Sequence, residues 1–140
     1  MKTSPLEIYI DGACKGNPGP AGVGIIICQG LEVVKNISGY IGNATNNIAE
    51  YTALIWALEE GLMLKAEQLK VNTDSLLLCS QINKVYKVKN SNILGLYQQA
   101  LRLIECFKVF EIRHISRKDN RGADKLATQA IKERLQKKRL

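Results

Sequence analysis

Apolar and polar residues alternate at the start of the chain, which is the pattern of a β-strand with one buried face. We predict a strand over Lys2–Asp11, whose apolar face comprises Leu6, Ile8 and Ile10. The following stretch, Gly12–Gly22, is rich in glycine and proline and predicts a loop of turns. Two further runs, Val23–Cys28 and Leu31–Ser38, predict strands joined as a hairpin around Gln29-Gly30.

After Thr45 the spacing of apolar residues changes to a helical period. Thr45, Asn46 and Asn47 are good N-cap residues, and the apolar face behind them comprises Ile48, Tyr51, Ile55, Leu58 and Leu62. The remaining elements are a strand, a short helix, a longer helix, a strand and a C-terminal helix: Leu69–Asp74, Ser75 to about Ile82, Asn92–Phe107, Val109–Ile115 and Asn120 onward. This order predicts an α/β fold, in which a mixed sheet is flanked by helices.

Length and composition narrow the class of protein. The chain has 140 residues, of which 46% are hydrophobic, so we expect a single domain over residues 1–140. No apolar run approaches the roughly 18 to 20 residues of a membrane span, and Met1–Glu7 lacks the apolar core of a signal peptide. We therefore expect a cytoplasmic protein without a membrane partner. The four cysteines form no CxxC pair and His114 is the only histidine, which disfavours a zinc site.

The net charge of +7 is concentrated near the C-terminus. Lys132–Leu140 contains five basic residues and one acid, a local charge of +4. A basic C-terminal tail suits a polyanionic partner, and it also suits a solvated helix end. The sequence leaves both interpretations open.

Four acidic residues fall at the ends of predicted elements. Asp11 and Asp74 end the first and fourth strands, Glu50 lies in the first turns of a helix, and Asp124 lies near the start of another. If the two strands are parallel neighbours, their carboxylates reach the same edge of the sheet. Converging carboxylates repel each other, and hard divalent cations relieve that repulsion. Surface residues or helix caps remain the alternative for each acid taken singly.

The residues around these acids resemble the four motifs of the type 1 ribonuclease H family, in the order and spacing of that family. The matching segments are Ile10–Ala13 with Gly16–Gly22, Thr45–Glu50, Thr73–Ser75 and Asn120–Ala127. The resemblance implies a ribonuclease H-like fold, a five-stranded mixed sheet flanked by helices. It also implies that Asp11, Glu50, Asp74 and Asp124 bind two Mg²⁺ or Mn²⁺ ions, which catalyse hydrolysis of the RNA strand of an RNA/DNA hybrid.

The same resemblance implies a set of substrate contacts. Gly12, Asn17, Asn46 and Asn47 match positions that reach 2′-hydroxyl groups, and Thr45 matches a position that touches a phosphate of the DNA strand. Two lysines, Lys87 and Lys89, lie in a stretch similar to one beside the duplex backbone in compact members of the family. A solvated loop is the other interpretation of that stretch.

The chain departs from many family members at the position of a catalytic histidine. The glycine-bearing loop that holds a mobile histidine is absent, and Arg113–Asp119 stands in its place. An ungapped count back from Asp124 places His114 where many members have that histidine, so His114 is the alternative catalytic residue, as a proton carrier near neutral pH. It also continues the alternation of Phe110 and Ile112, which predicts a packed residue on a strand. Arg117 falls just beyond the strand end and, as in short members of the family, is the expected helper of the metals.

Other functions remain open at this stage. The same cleft can accept double-stranded RNA, which would make the protein a broader nuclease. A catalytically dead hybrid-binding module is disfavoured by the complete set of four acids. A fragment of a reverse transcriptase or integrase is disfavoured by the self-contained length. We expect a monomer whose partner is an RNA/DNA hybrid.

Overall fold

A five-stranded mixed sheet forms the centre of the computed structural model, which describes residues 5–138. The strands are β1 (Leu6–Cys14), β2 (Gly19–Gln29), β3 (Glu32–Ala44), β4 (Gln68–Thr73) and β5 (Val109–His114). Their order in the sheet is β3-β2-β1-β4-β5. Strands β1, β2 and β3 are antiparallel neighbours, whereas β1, β4 and β5 run parallel. The predicted five-stranded mixed sheet flanked by helices is confirmed.

Four helices lie between and after these strands. They are α1 (Asn46–Met63), α2 (Leu76–Ile82), α3 (Ser91–Ile104) and α4 (Arg121–Lys138), and a 3₁₀ turn over Arg117–Asn120 precedes α4. Helix α1 packs on β1 and β2 and is covered by α3, whereas α4 contacts β1, β2 and β3. No helix in the part of the chain that the structure describes is long and apolar enough to cross a membrane.

The predicted loop over Gly12–Gly22 is wrong over most of its length. β1 continues to Cys14 and β2 begins at Gly19, so only residues 15–18 form the turn. Beyond Ile10, β1 pairs with β2 alone, in a register that places Asp11 opposite Gly24. The glycines of this stretch therefore lie largely in strands rather than in turns. Residues 2–4 of the predicted first strand lie outside the described residues.

The core is organised by a row of aliphatic residues that crosses four strands. Ile8 is paired with Ile27 on one side and with Val71 on the other, and Val71 is paired with Ile112. All four side chains are buried, and Leu54 and Leu58 of α1 belong to the same cluster. Burial of such a side chain stabilises the fold by about 1.5–3 kcal/mol. This row holds the parallel strands in the register that aligns their carboxyl ends.

Helix α4 approaches the other face of the sheet through small residues. Ala123, Ala127 and Ala130 are buried, and a Cβ added to Gly24 would overlap the main-chain carbonyl oxygen of Ala123. A Cβ added to Gly22 would meet Ala127 in the same way. The backbone of α4 therefore lies against the backbone of β2. This contact leaves no room for a side chain at position 24, so only glycine fits there.

The basic C-terminal tail predicted at Lys132–Leu140 is the end of a helix over its described part. Helix α4 continues to Lys138, and residues 139 and 140 lie outside the described residues. One of its charges is engaged with the sheet, because the Arg134 guanidinium lies 5.0 Å above the ring of Tyr40. Arg134 therefore has a packing role that the sequence did not indicate.

We expect Gly24→Ala to lower the free energy of unfolding by about 3 kcal/mol, because its methyl group must displace the backbone of α4. The matched control is Gly95→Ala in α3, where an added Cβ meets no atom within 4 Å. That change should raise the free energy of unfolding by about 0.5–1 kcal/mol, the difference in helix propensity. Urea unfolding followed by circular dichroism measures both changes, and equal small effects would contradict the close packing of α4.

Candidate active site at the carboxyl ends of the parallel strands

Two of the four predicted acids reach the same edge of the sheet. β1 and β4 run parallel, and Ile10 is paired with Thr73. Asp11 follows Ile10 and Asp74 follows Thr73, so the two acids lie side by side at the carboxyl ends of these strands. β5 is also parallel to β4, and Arg117 comes shortly after its last residue. The expected convergence at the carboxyl ends of the strands is confirmed.

Glu50 is brought to this edge by the first turns of α1. Thr45 caps the helix, and its hydroxyl oxygen accepts a hydrogen bond from the Ile48 N–H at 3.2 Å. A Cβ added to Gly12 would overlap the backbone of Ala49 and Glu50, so α1 starts directly against β1. The Gly12 N–H donates to the Glu50 carboxylate. Gly12 thus both admits the helix and orients its acidic side chain.

Asp124 is brought to the opposite side of Asp11 by the first turn of α4. Gly24 is the sheet neighbour of Asp11, and the close contact at Gly24 is made by Ala123, the residue before Asp124. The Asp124 carboxyl lies close enough to Asp11 to contribute to the raised pKa of Asp11. The start of α4 therefore brings the acid of the fourth motif to the acids of the other three.

The acids line an open cleft of about 620 Å³. One carboxylate oxygen each from Asp11, Glu50 and Asp74 lies within 4.8 Å of the others, an arrangement that can hold a metal ion. The residues that line the cleft are Asp11, Gly12, Ala13, Cys14, Asn46, Asn47, Glu50, Asp74, Ser75, Arg117 and Asp124. The structure thus brings together all four acids, the predicted helper Arg117 and three of the predicted substrate-binding residues.

The crowding of these acids perturbs their ionisation. Burial raises the pKa of Asp11 to about 9, and the charges of Glu50 and Asp74 act in the same direction. Burial also raises the pKa of Glu50 to about 8, although the hydrogen bond from the Gly12 N–H opposes the rise. Carboxyls this close favour a bound proton or a bound cation, and oxygen ligands in such number fit a hard divalent ion.

The rim of the cleft is formed by the start of α1 and the turn after β1. The side-chain oxygen of Asn17 accepts a hydrogen bond from the main-chain N–H of Asn46 at 3.0 Å. The Cys14 thiol donates to the side-chain oxygen of Asn46 at 2.9 Å. Asn17, Asn46 and Asn47 are all exposed, so their remaining amide groups are available to a ligand.

Three predicted site residues lie apart from the cleft. Lys87 and Lys89 are exposed in the segment between α2 and α3 and do not line it. His114 is the last residue of β5 and is exposed, which corrects the expectation that it is packed. The alternation places His114 on the same face of β5 as Ile112. However, β5 is an edge strand, and only Ile112 is buried, whereas the end of the strand at His114 is exposed.

One residue of the site was missed from the sequence. Asn120 is 1% exposed, and its side-chain amide donates to the Ile10 carbonyl oxygen at 2.8 Å and to the Asp74 carboxylate at 3.1 Å. It thereby joins the end of β1, the end of β4 and the start of α4. The only signal in the sequence was its place at the head of the fourth motif, one helical turn before Asp124.

Comparison with known proteins gives consistent matches over most of the chain. A family model described as reverse transcriptase-like matches residues 9–130. A ribonuclease H from Caldanaerobacter subterraneus is 34% identical and covers 93% of each chain. A bifunctional protein of Mycobacterium tuberculosis is 38% identical over 90% of this chain, which spans only 35% of that relative's length.

Solved structures give the same result. An RNase H1 solved in complex with an RNA/DNA hybrid superposes with a TM-score of 0.88 at 36% identity, covering 93% of this chain and 99% of that one.

We expect Asp11→Asn to stabilise the metal-free protein at neutral and alkaline pH. Because the pKa of Asp11 is about 9 in the fold and near 3.8 without it, the folded chain retains a proton that the unfolded chain has released. The stability of the unmodified protein therefore falls as the pH rises from about 4 to about 9. Melting temperatures in EDTA should show an advantage of the variant at pH 8 that shrinks towards pH 4. Glu105→Gln, an exposed acid at the end of α3, is the control, and a pH-independent difference would contradict the interpretation.

We expect Asn120→Ala to weaken binding of Mn²⁺ by about 10-fold or more, because it removes the donor that orients Asp74. Isothermal titration calorimetry without nucleic acid measures this directly. The control is Asn72→Ala, which removes a buried amide bonded to Glu7 and Arg113, two residues before Asp74 on the same strand. The control should lower the melting temperature and leave Mn²⁺ affinity unchanged. Equal losses of affinity in the two variants would show a general loosening of the strand.

Proposed function

Because this chain belongs to the type 1 ribonuclease H family, we propose that it is an endonuclease that hydrolyses the RNA strand of RNA/DNA hybrids. The observation that carries the proposal is the convergence of Asp11, Glu50, Asp74 and Asp124 on one open cleft. A site that bound nucleic acid without cutting it would gain nothing from four acids facing phosphates. The relative solved with an RNA/DNA hybrid supports the choice of substrate.

We propose that these four carboxylates hold two Mg²⁺ or Mn²⁺ ions. The donor set fits, because oxygen ligands suit hard cations and because the raised pKa values of Asp11 and Glu50 reflect a repulsion that cations relieve. When bound, two such ions activate a water molecule and stabilise the leaving 3′ oxygen.

The protein's own residues fix the geometry around that chemistry. The Gly12 N–H holds the Glu50 carboxylate, and the Asn120 amide holds Asp74. Both donors are rigid, since one is main chain and the other is buried. The acids are therefore oriented before the substrate arrives, and little reorganisation is needed when the scissile phosphate enters the cleft.

Arg117 is the residue that we propose to bind the scissile phosphate alongside the acids. It lines the cleft shortly after β5, and its positive charge opposes the rise in the pKa of Glu50. Its guanidinium carries a permanent charge and can donate two hydrogen bonds to phosphate oxygens without a proton transfer. The exposed His114 is the alternative helper, as a proton carrier near neutral pH.

Selection of the hybrid is assigned to the rim of the cleft. We propose that Asn17, Asn46 and Asn47, together with the backbone at Gly12, contact 2′-hydroxyl groups of the RNA strand. Thr45 is proposed to bind a phosphate of the DNA strand while it caps α1, a helix start that favours anions. The hydrogen bond from the Asn46 N–H to the Asn17 side chain joins the two sides of the rim.

Affinity without sequence preference is assigned to lysines outside the cleft. We propose that Lys87 and Lys89 contact the duplex backbone, and that the basic end of α4 from Lys132 raises the affinity for the nucleic acid. Action as a monomer, expected from the sequence, stays a prediction. The cytoplasmic location predicted from the sequence stays a prediction.

We expect the chain to cut the RNA strand of a labelled RNA/DNA hybrid when Mg²⁺ is present, and Asp11→Asn to reduce this activity at least 1,000-fold. Hybrid binding by the variant should persist, because groups other than Asp11 contact the backbone. The assay compares RNA/DNA, RNA/RNA and single-stranded RNA, with and without Mg²⁺. Cleavage of RNA/RNA at a similar rate would assign the broader nuclease activity, and binding without cleavage by the unmodified protein would assign a binding module.

We expect Arg117→Ala to lower kcat on the hybrid clearly more than His114→Ala does, because Arg117 lines the cleft and His114 does not. An effect of about 10-fold or more is expected for the arginine and less than about 2-fold for the histidine. Circular dichroism establishes that both variants are folded. The reverse order would support a histidine-assisted mechanism, and equally small losses would show that neither residue assists.

A further inference from the structure

Two hollows continue from the cleft along the exposed side of α4. The first, of about 390 Å³, is lined by Asp124, Lys125, Thr128, Gln129 and Lys132. The second, of about 340 Å³, lies between α4 and the end of β1. Its floor is apolar, and Lys15, Thr128 and Lys132 form its polar part; the full lining is Ala13, Cys14, Lys15, Thr128, Ile131, Lys132 and Leu135. The hollows share Thr128 and Lys132 and join the cleft at Asp124 and Cys14. We refer to this continuous depression, lined by Lys15, Lys125, Thr128, Gln129 and Lys132, as the α4 groove.

The lining of the α4 groove is set by the helical repeat. Residues 125, 128, 129 and 132 lie on one side of α4, because neighbours on a helix surface are three or four positions apart. From Asp124 to Lys132 the helix rises about 12 Å. A strand that stays stacked as in a duplex, with a rise of roughly 3.4 Å per nucleotide along the helix axis, covers that length with about 3 to 4 nucleotides.

The α4 groove carries positive charge that forms no ion pair in the part of the chain that the structure describes. Lys15, Lys125 and Lys132 are exposed, and none of them forms an ion pair among residues 5–138. The nearby acid Glu133 accepts a hydrogen bond from Gln129 at 2.8 Å rather than from a lysine. Three unpaired cations thus line the path that leads away from four acids, an arrangement that fits a chain of phosphates.

We propose that the α4 groove binds the backbone of the RNA strand for 3 to 4 nucleotides beyond the scissile phosphate. The strand is identified by continuity, because the groove begins at Asp124, beside the group of acids that would face the scissile bond of the RNA. This inference rests on the proposed function and adds to it a subsite outside the duplex-selecting rim. Lys125 and Lys132 bind phosphates there, and Thr128 and Gln129 offer hydrogen bonds to them.

The test uses hybrids whose cleavable strand has ribonucleotides only in the last few base pairs, so that a four-nucleotide single-stranded extension follows closely on the scissile phosphate. The extension belongs to the RNA strand on its 5′ side, to the RNA strand on its 3′ side, or to the DNA strand. Binding is measured in the Asp11→Asn background, so that the RNA is not cut. One of the two RNA extensions should tighten binding at least 5-fold relative to the blunt hybrid, and the DNA extension should not.

Replacement of the two groove lysines should remove that gain. We expect Lys125→Gln/Lys132→Gln to bind blunt and extended hybrids equally, and the salt dependence of binding to the extended hybrid to decrease by about 1.4 in log–log slope. The matched control is Lys65→Gln/Lys108→Gln. It removes the same charge just after the end of α1 and just before the start of β5, which are the ends of these elements away from the acids. This control should retain the tighter binding of the extended hybrid.

The outcomes separate the subsite from the function. If the unmodified protein cuts the blunt hybrid but no RNA extension tightens binding, the α4 groove does not bind the strand and the proposed function stands. A gain that both lysine pairs reduce equally would reflect net charge alone and would overturn the proposal. Failure to cut any hybrid would refute the proposed function, whatever the extensions do.

Discussion

The position of the acids depends on two places where the backbone of a helix touches the backbone of the sheet. At Gly12 the start of α1 lies against β1, and at Gly24 the first turn of α4 lies against β2. These glycines flank Asp11, one beside it in the chain and one opposite it in the sheet. Any side chain at either position would move a helix outward and take Glu50 or Asp124 away from Asp11. The absence of two Cβ atoms is thus a condition for the site.

The convergence of charge has an energetic cost that the fold partly offsets. Burial and mutual repulsion disfavour the ionised forms of Asp11 and Glu50, as their raised pKa values reflect. The hydrogen bond from the Gly12 N–H stabilises the charged form of Glu50, and the hydrogen bond from Asn120 orients Asp74. The remaining repulsion is what a divalent cation relieves, so the site is less stable by itself than with its ligand. Such a trade of stability for function is common at sites built for metals.

The parts that the sequence predicted well are those that repeat along the chain. The alternation of Leu6, Ile8 and Ile10 and the helical period after Thr45 identified buried faces, and the ends of two strands located Asp11 and Asp74. The glycines of Gly12–Gly22 were misinterpreted, because glycine serves both turns and close backbone contacts, and only the neighbouring element distinguishes the two. Exposure of His114 depends on how far the elements beside β5 extend, and the two bonds of Asn120 depend on three elements meeting. Neither is encoded in a local pattern.

Asn120 also links the integrity of the site to the local opening of one helix. Its amide holds Ile10 and Asp74 from a position immediately before α4, and Asp124 lies one turn further along. If the first turn of α4 frays, two acids lose their positions in one event, while the aliphatic row beneath them stays packed. Local openings of this kind need less free energy than global unfolding. Hydrogen exchange in residues 120–124 should therefore slow when cations bind, and heat should abolish cation binding at temperatures at which the sheet is still folded.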